Sequence, residues 1–364
     1  MIREKKNVII YDTAPDLSAL CSDPDSLFID IETTGLSPAK AHIYMIGLIY
    51  IQDDEPVFEG LIAETPSDEE YILKAFLDIV SGYRMLIHFN GTTFDLPFIV
   101  SRCRAYDLTF DPGAYESLDI YRCISHYKRL LGLNNCKQKT VERFLGFDRE
   151  DTYSGGELID VYQRYTASKD DGLYRILFTH NYDDLCGMYN ILPVVAYGRM
   201  GQDIPDSIDT DISEYKGYDG LIHKELLIRY TLSLDIPHPV SSSLQGIFLS
   251  VRERNVLIKV PVYEGELKLF YNDPKEYYYL PEEDIAIHKS VSAYMDKRFR
   301  QPATAGNCYT RLTGTFLPQF SEFFIPVCKS SYESKDLYFE FGTDKACDIP
   351  FLQRYVGHIL KYLI

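Results

Sequence analysis

The chain of 364 residues is long enough for two domains, and its 46% hydrophobic content excludes a wholly disordered protein. No apolar run reaches the roughly 18–20 residues that a membrane helix needs. The formal net charge of −17 argues against blanket electrostatic binding to nucleic acid, although a local carboxylate-rich site also makes this sum negative. The eight cysteines contain no CxxC pair, so we expect neither a disulfide scaffold nor a metal ribbon, and we expect a reducing, cytoplasmic location.

Strand-like and helix-like patterns alternate through the first 200 residues. Segments rich in Ile, Phe and Tyr predict buried strands at residues 26–31, 42–51 and 84–89. Helical periodicity follows at residues 67–80, at residues 94–99 and from about residue 120 to residue 196. The expected fold class is therefore α/β, with a mixed sheet flanked by helices.

The pattern changes after residue 200. Residues 201–220 contain six acidic residues and several Gly, Pro and Ser, which predicts an acidic linker. Strands are predicted beyond it at residues 221–234, 246–251, 255–262 and 266–271, with a buried strand at Tyr277–Tyr279 and helices at residues 281–298 and 350–364. The predicted organisation is an N-terminal extension at 1–24, an α/β domain at 25–200, the linker, and a smaller α+β domain at 221–364.

Two acidic residues alternate with apolar ones in the first predicted strand. Asp30 and Glu32 lie two positions apart, so their side chains project to the same side. Two adjacent carboxylates on a largely buried strand repel each other unless a cation neutralises them, and Mg²⁺ prefers such oxygen ligands. The alternative is an exposed edge strand with two solvated acids.

Two further segments place acidic residues near the ends of predicted elements. Asp95 follows the strand at residues 84–89, where it is a candidate ligand or simply a helix cap. His180 and Asp184 are four residues apart on a predicted helix, so they share a face, although surface pairs of this kind are common.

In this order, the three segments resemble the motifs of the DEDD exonucleases, a family of the ribonuclease H-like superfamily. The resemblance covers about residues 25–195. It rests on the stretch FIDIETTGL, on the N-x-x-x-F-D context of Asp95, and on His180 with Asp184. It implies a ribonuclease H-like fold and a 3′–5′ exonuclease in which four carboxylates hold two Mg²⁺ or Mn²⁺ ions: Asp30, Glu32, Asp95 and Asp184. It also implies that His180 is the general base, so that these five residues are the catalytic set.

The third motif departs from the family pattern. Family members with His usually place it five residues before the last Asp, whereas His180 is four residues before Asp184. The metal role of Asp184 is therefore better supported than the base role of His180, and Asp183 competes for either role. The stretches SLDI and KTVERFLGFDRED resemble a poorly characterised bacterial branch, in which Asp119 either supports the site or is a structural residue at a strand end.

Basic residues form two clusters in an otherwise acidic chain. The first is predicted to bind the phosphates of single-stranded DNA or RNA and comprises Arg122, Lys128, Arg129, Lys137, Lys139 and Arg143. The second, in the C-terminal domain, comprises Lys289, Lys297, Arg298, Arg300 and Arg311. The second cluster favours a role for that domain in holding substrate or a protein partner. The alternative for both clusters is a solvated surface.

Three functions are compatible with the sequence. The one we favour is a metal-dependent 3′–5′ exonuclease that hydrolyses phosphodiester bonds of single-stranded nucleic acid. The alternatives are a non-catalytic nucleic-acid-binding protein of the same fold and a hydrolase of a small phosphate ester, which would not need the basic clusters.

Overall fold

A computed structural model describes residues 1–11, 24–147, 153–201, 204 and 207–364. The chain divides into two compact units. Unit 1 comprises Met1–Gly198 and Leu234–His238, and unit 2 comprises Arg199–Ser233 and Pro239–Ile364. Among the described residues, no helix combines the length and apolar character that a bilayer crossing requires.

Unit 1 contains a six-stranded mixed sheet. Its strands are β1 (Ile2–Asn7), β2 (Ser26–Thr33), β3 (Ile43–Gln52), β4 (Glu55–Ile62), β5 (Met85–His88) and β6 (Glu116–Asp119). They are ordered β1-β4-β3-β2-β5-β6; the first four pair antiparallel, and β5 and β6 extend the sheet in parallel with β2. The helices are α1 (Glu69–Val80), α2 (Asp95–Ala105), α3 (Ile120–Ser125), α4 (Gln138–Phe144), α5 (Gly155–Ser168), α6 (Asp171–Ile191) and α7 (Ala196–Arg199).

Helices cover both faces of the central strands, which explains their nearly continuous apolar sequence. On one face, Leu27, Ile29 and Ile31 of β2 join a core with apolar residues of α1 and α2. On the other face, Phe28 packs against Tyr189 of α6. Because side chains alternate along a strand, the even-numbered residues of β2 all face α6. The sequence therefore places Asp30 and Glu32 beneath this helix. The predicted mixed α/β sheet with flanking helices is confirmed.

Two predicted irregular segments contain strands. Residues 2–7, assigned from sequence to an N-terminal extension, pair with β4 as strand β1. Residues 209–216 lie within the predicted acidic linker but form strand β7 (Asp209–Lys216), which pairs with the next strand. Both are polar edge strands. Most of their charged residues are exposed, and their sequences lack the apolar alternation on which strand prediction depends.

Unit 2 is built mainly from β-strands. After β7 come β8 (Ile222–Thr231), β9 (Val240–Leu244), β10 (Ile247–Arg252), β11 (Asn255–Phe270), β12 (Tyr277–Leu280), β13 (Ile285–His288), β14 (Gln301–Pro302), β15 (Tyr309–Gln319), β16 (Cys328–Lys329) and β17 (Leu337–Glu340). The helix α8 (Ile349–Leu363) closes the chain, as predicted. Strands β12, β13 and β14 form a small separate sheet, and the others belong to an eight-stranded sheet.

Three predictions for unit 2 need correction. The helix predicted at residues 281–298 is wrong, because this segment contains β13 and two short 3₁₀ turns. Ile285 and Ile287 alternate with period two and pair with β12, and this pairing overrides the local helical pattern. The strands predicted at 255–262 and 266–271 are one long strand, β11, whose two halves pair with different neighbours. Tyr277–Tyr279 form a strand, but one that is only half-buried.

Candidate metal and nucleic-acid site

Strand β2 and helix α6 bring the first and third acidic segments together. Asp30 and Glu32 project from β2 toward α6, and His180 and Asp184 occupy successive turns of that helix. The imidazole Nε2 of His180 lies 3.1 Å from Asp184 Oδ2 and 3.6 Å from Glu32 Oε1. Glu32, His180 and Asp184 each offer one ligand atom, and these three atoms lie within 4.8 Å of one another. We call this group the carboxylate–imidazole trio.

Asp30 is held by a residue that lies outside the acidic sequence motifs. The amide Nδ2 of Asn181 donates a 2.7 Å hydrogen bond to Asp30 Oδ2. Asn181 is fully buried, and it can approach the sheet because its neighbour on β3 is Gly47. A Cβ atom at position 47 would lie 1.9 Å from Asn181 Oδ1 and 2.4 Å from Leu185 Cδ1. The signal available in the sequence was a lone glycine inside a long apolar strand, which indicates a close backbone approach.

Asp95 begins helix α2 and approaches the same end of β2. Its Oδ1 accepts a 3.3 Å hydrogen bond from the backbone N–H of Ile31, between Asp30 and Glu32. The side chain is buried, and this desolvation raises the pKa of Asp95 to about 6. Asp95 also helps to raise the pKa of Glu32, so the two carboxylates are electrostatically coupled. The second segment therefore joins the site.

Glu32 lies in the most strongly perturbed environment of the site. Burial raises its pKa to about 7, and the negative charges of Asp184 and Asp95 act in the same direction. The imidazole of His180 and a 3.4 Å hydrogen bond from the Tyr44 hydroxyl oppose this rise. Near neutral pH, the carboxylate form of Glu32 is therefore held in an environment that favours its protonation.

This donor set fits a hard divalent cation. Carboxylate oxygens are the preferred ligands of Mg²⁺ and Mn²⁺. A cation between Glu32 and Asp184 would remove the repulsion and desolvation that raise the pKa of Glu32. Asp30 and Asp95 flank the trio and could contribute further ligands. Asp183 is half-buried, and it is the neighbouring Asp184 whose side chain joins the trio.

Asp119 has a structural role in the turn that leads to Asp95. Its Oδ1 accepts a 2.9 Å hydrogen bond from the Asn90 backbone N–H, and its Oδ2 accepts a 2.7 Å bond from the Thr92 hydroxyl. It also caps α3 by accepting from the Arg122 backbone N–H. Asn90 has a positive φ of 62°, which this bonding stabilises. The structural alternative for Asp119 is thus the one that its contacts support.

The predicted basic cluster of unit 1 lies on and between α3 and α4. Lys139 is half-buried. The other five side chains are exposed: Arg122, Lys128, Arg129, Lys137 and Arg143. Tyr121 is also partly exposed beside Phe89. In the second cluster, Lys289 and Arg300 contact the ring of Tyr278, whereas Arg298 is paired with Asp296. These contacts give part of the second cluster a structural role.

Comparison with known proteins identifies the superfamily of this domain. The family model of the RNase H superfamily, RNase_H_2, matches residues 27–195. No curated protein matches the sequence. For residues 27–195, the predicted membership of the ribonuclease H-like superfamily is therefore confirmed.

Solved structures with weak similarity include three structures of two nucleic-acid enzymes. The family B DNA polymerase from Pyrobaculum calidifontis is 13% identical over 71% of this chain and 38% of its own, with a TM-score of 0.40. E. coli exonuclease I with a dA13 oligonucleotide is 13% identical, covers 56% and 54% of the two chains, and has a TM-score of 0.28. The zinc-bound exonuclease I complex with single-stranded DNA is 12% identical over 93% and 73%, with a TM-score of 0.27. The chain thus spans well under half of the polymerase.

Proposed function

This chain contains a domain of the RNase H superfamily at residues 27–195, and on this basis we propose that it is a metal-dependent 3′–5′ exonuclease acting on single-stranded DNA or RNA. The observation that carries the proposal is the carboxylate–imidazole trio, with Asp30 and Asp95 beside it. A fully buried amide and a backbone N–H orient these flanking carboxylates. This orientation supports the proposal, because catalysis depends on preorganised polar groups.

The proposed ligands are Asp30, Glu32, Asp95 and Asp184. Two divalent cations held there would lower the pKa of a water molecule and stabilise the oxygen that leaves the phosphorus. These proposed ligands lie on β2, α2 and α6. The hydrogen bond from Asn181 fixes the orientation of the Asp30 carboxylate. The Tyr44 hydroxyl, on the neighbouring strand β3, donates a hydrogen bond to Glu32.

His180 is the proposed general base. Its Nε2 is directed at the carboxylates rather than at solvent, at 3.1 Å from Asp184 Oδ2, so a water among these groups is within reach of the imidazole. A neutral imidazole can accept a proton from that water near neutral pH. Because the same nitrogen could bind a cation, the role of His180 is tested by comparing metal affinity with turnover. A base variant retains the affinity and loses the turnover.

The basic cluster of α3 and α4 is proposed to bind substrate phosphates. Five of its six side chains are exposed, which is where a phosphate backbone could reach them. Because the chain carries a net charge of −17, its affinity for nucleic acid should be modest and should fall steeply as the salt concentration increases. A cytoplasmic location is also proposed; the seven cysteines that the structure describes form no disulfide with one another, and Cys21 lies outside the described residues.

The direction of degradation is tested with end-labelled single strands. A 5′-labelled strand should give a ladder that shortens from the 3′ end when Mg²⁺ or Mn²⁺ is present. A strand of the same sequence with a blocked 3′ end should resist degradation, and parallel DNA and RNA substrates show which sugar is preferred. Degradation of the blocked strand, or release of the 5′ label as a mononucleotide at the earliest times, would contradict the proposed direction.

A further inference from the structure

Helix α4 is attached to α6 by one amide and one buried carboxylate, at the turn that carries Asp184. The side-chain Nε2 of Gln138 donates a 2.7 Å hydrogen bond to the backbone carbonyl of Asp184. The same Nε2 donates a 2.8 Å hydrogen bond to Oε1 of Glu142. Glu142 is only 2% exposed. We call Gln138 and Glu142 the α4 clamp.

The contact requires a glycine on α6. A Cβ atom at position 187 would lie 2.2 Å from Glu142 Oε1 and 3.0 Å from Gln138 Nε2. Gly187 thus allows the clamp to lie against the backbone of α6, one turn after Asp184. Burial of an acidic side chain at this contact is costly unless its hydrogen bonds are satisfied, and Gln138 supplies one such bond.

The two faces of α4 have different chemistry. Gln138, Val141 and Glu142 face inward, and Leu145 continues this buried stripe just beyond the helix. Lys139 and Arg143 are four residues apart and lie on another face, and Lys137 is the exposed residue that precedes the helix. The clamp therefore connects the backbone of a candidate metal ligand with the helix that presents these cations.

We propose that Gln138 and Glu142 are positioning residues that hold the basic face of α4 in register with Asp184, and so fix where a substrate strand lies relative to the cleavage site. This inference rests on the proposed nuclease function. The clamp touches the backbone of Asp184 rather than its carboxylate. Its loss should therefore impair the binding of a strand more than the chemistry at a phosphodiester.

The test compares a substrate that is long enough to contact α4 with one that is too small to do so. An oligonucleotide contacts both α4 and the cleavage site, whereas the p-nitrophenyl ester of thymidine 5′-monophosphate needs only the cleavage site. In Gln138→Asn the amide is one methylene too short to reach both acceptors. We expect the KM for the oligonucleotide to rise about tenfold, with kcat and the hydrolysis of the ester nearly unchanged.

Variants that change the charges at positions 138 and 142 distinguish the proposed contact from a general loss of structure. Gln138→Glu places a second carboxylate opposite Glu142 and should raise the oligonucleotide KM further. The double variant Gln138→Glu with Glu142→Gln removes the repulsion between the two carboxylates but leaves an acceptor opposite the Asp184 carbonyl, so it should bind better than Gln138→Glu and still worse than the wild type. Gln163→Glu, at an exposed position of α5, introduces the same charge change and should have no effect.

Oligonucleotide affinity, measured by fluorescence anisotropy with Ca²⁺ in place of Mg²⁺, gives a readout that is independent of turnover. Thermal unfolding of each variant accompanies it. Equal losses on both substrates, or a double variant no better than Gln138→Glu, would overturn the positioning role. If the wild type cleaves neither substrate, the proposed function itself fails, and that result is distinct from a failure of the clamp.

Discussion

The amide of Asn181 donates a 2.7 Å hydrogen bond to the carboxylate of Asp30, across the contact between helix α6 and strand β2. This bond fixes the orientation of one candidate metal ligand from the residue that follows His180. It exists because α6 lies unusually close to the sheet, over the glycine that pairs with Asp30 on β3. The site thus depends on close packing of the core as well as on its acidic residues.

Replacement of Asn181 should therefore weaken metal binding more than folding. In Asn181→Leu the carboxylate of Asp30 loses its donor, and we expect Mn²⁺ affinity to fall about 10- to 100-fold. Isothermal titration of the purified protein with Mn²⁺ measures this change. The matched control is Asn134→Leu at an exposed position, which should bind Mn²⁺ like the wild type. Unchanged affinity in Asn181→Leu would show that Asp30 is not held for a metal.

The close approach at Gly47 predicts a steric effect on stability. Gly47→Ala places a methyl group against Asn181 and Leu185, and we expect a loss of about 1–3 kcal/mol in the free energy of unfolding. Urea denaturation measures it. Gly156→Ala is the matched control, because nothing lies within 4 Å of its added Cβ and alanine favours the helix. Equal stability of the two variants would mean that α6 does not pack on β3 as described.

The raised pKa values of Glu32 and Asp95 predict how stability depends on pH without metal. The pKa of Glu32 rises from 4.5 to about 7, so between these values the folded protein binds more protons than the unfolded chain. Raising the pH through this interval therefore destabilises the metal-free fold, and the loss is complete above about pH 7. Asp95 acts in the same direction up to about pH 6.

This dependence is measurable as the Tm of EDTA-treated protein at about pH 5 and about pH 8. Between these conditions the wild type should lose a few degrees more than Glu32→Gln, whereas Glu333→Gln at an exposed position should behave like the wild type. Added Mn²⁺ should recover most of this loss at the higher pH. A wild type and Glu32→Gln with parallel pH profiles would contradict the buried, repelled state of Glu32.

The buried ion pair of Glu69 and Arg102 tests how strongly burial increases the stability cost of losing a charged partner. Glu69 is fully buried and accepts hydrogen bonds from Arg102 and from the backbone N–H of Ile43, at the start of β3. Arg102→Met leaves this carboxylate without its cation and should cost about 3–5 kcal/mol of stability.

The exposed pair of Arg84 and Glu116 supplies the control for this variant. Arg84→Met should cost less than about 1 kcal/mol, because solvent screens its partner. Denaturant titration compares the two substitutions. A similar small cost for both would show that Glu69 is more hydrated than its burial indicates.

Much of the structure of unit 1 can be predicted from the sequence, because local patterns determine it. FIDIET combines alternating carboxylates with buried apolar residues, so both its strand and its shared face were predictable. Asn181 could not be selected because its importance depends on Gly47, which lies far away in the sequence and is brought close only by packing. The clamp at Glu142 was hidden for the same reason, since a helical glutamate is ordinarily a solvated residue.

In unit 2 the sequence was less informative. Segment 281–298 has helical spacing, but Ile285 and Ile287 pair with β12, so a long-range contact decides its structure. The polar strand β7 carries four acidic or basic residues and little apolar alternation, and only its pairing with β8 makes it a strand. Both cases are tertiary pairings that local sequence does not encode.

The most direct test of the proposed site compares two adjacent aspartates. Wild type, Asp184→Asn and Asp183→Asn are each incubated with 5′-labelled single-stranded DNA and RNA in Mg²⁺, Mn²⁺ or EDTA. We predict metal-dependent shortening from the 3′ end by the wild type and by Asp183→Asn, with the rate of Asp184→Asn at least about 100-fold lower. Cleavage by Asp184→Asn at the wild-type rate, or cleavage by any of the proteins in EDTA, would contradict a metal-dependent site built on Glu32, His180 and Asp184.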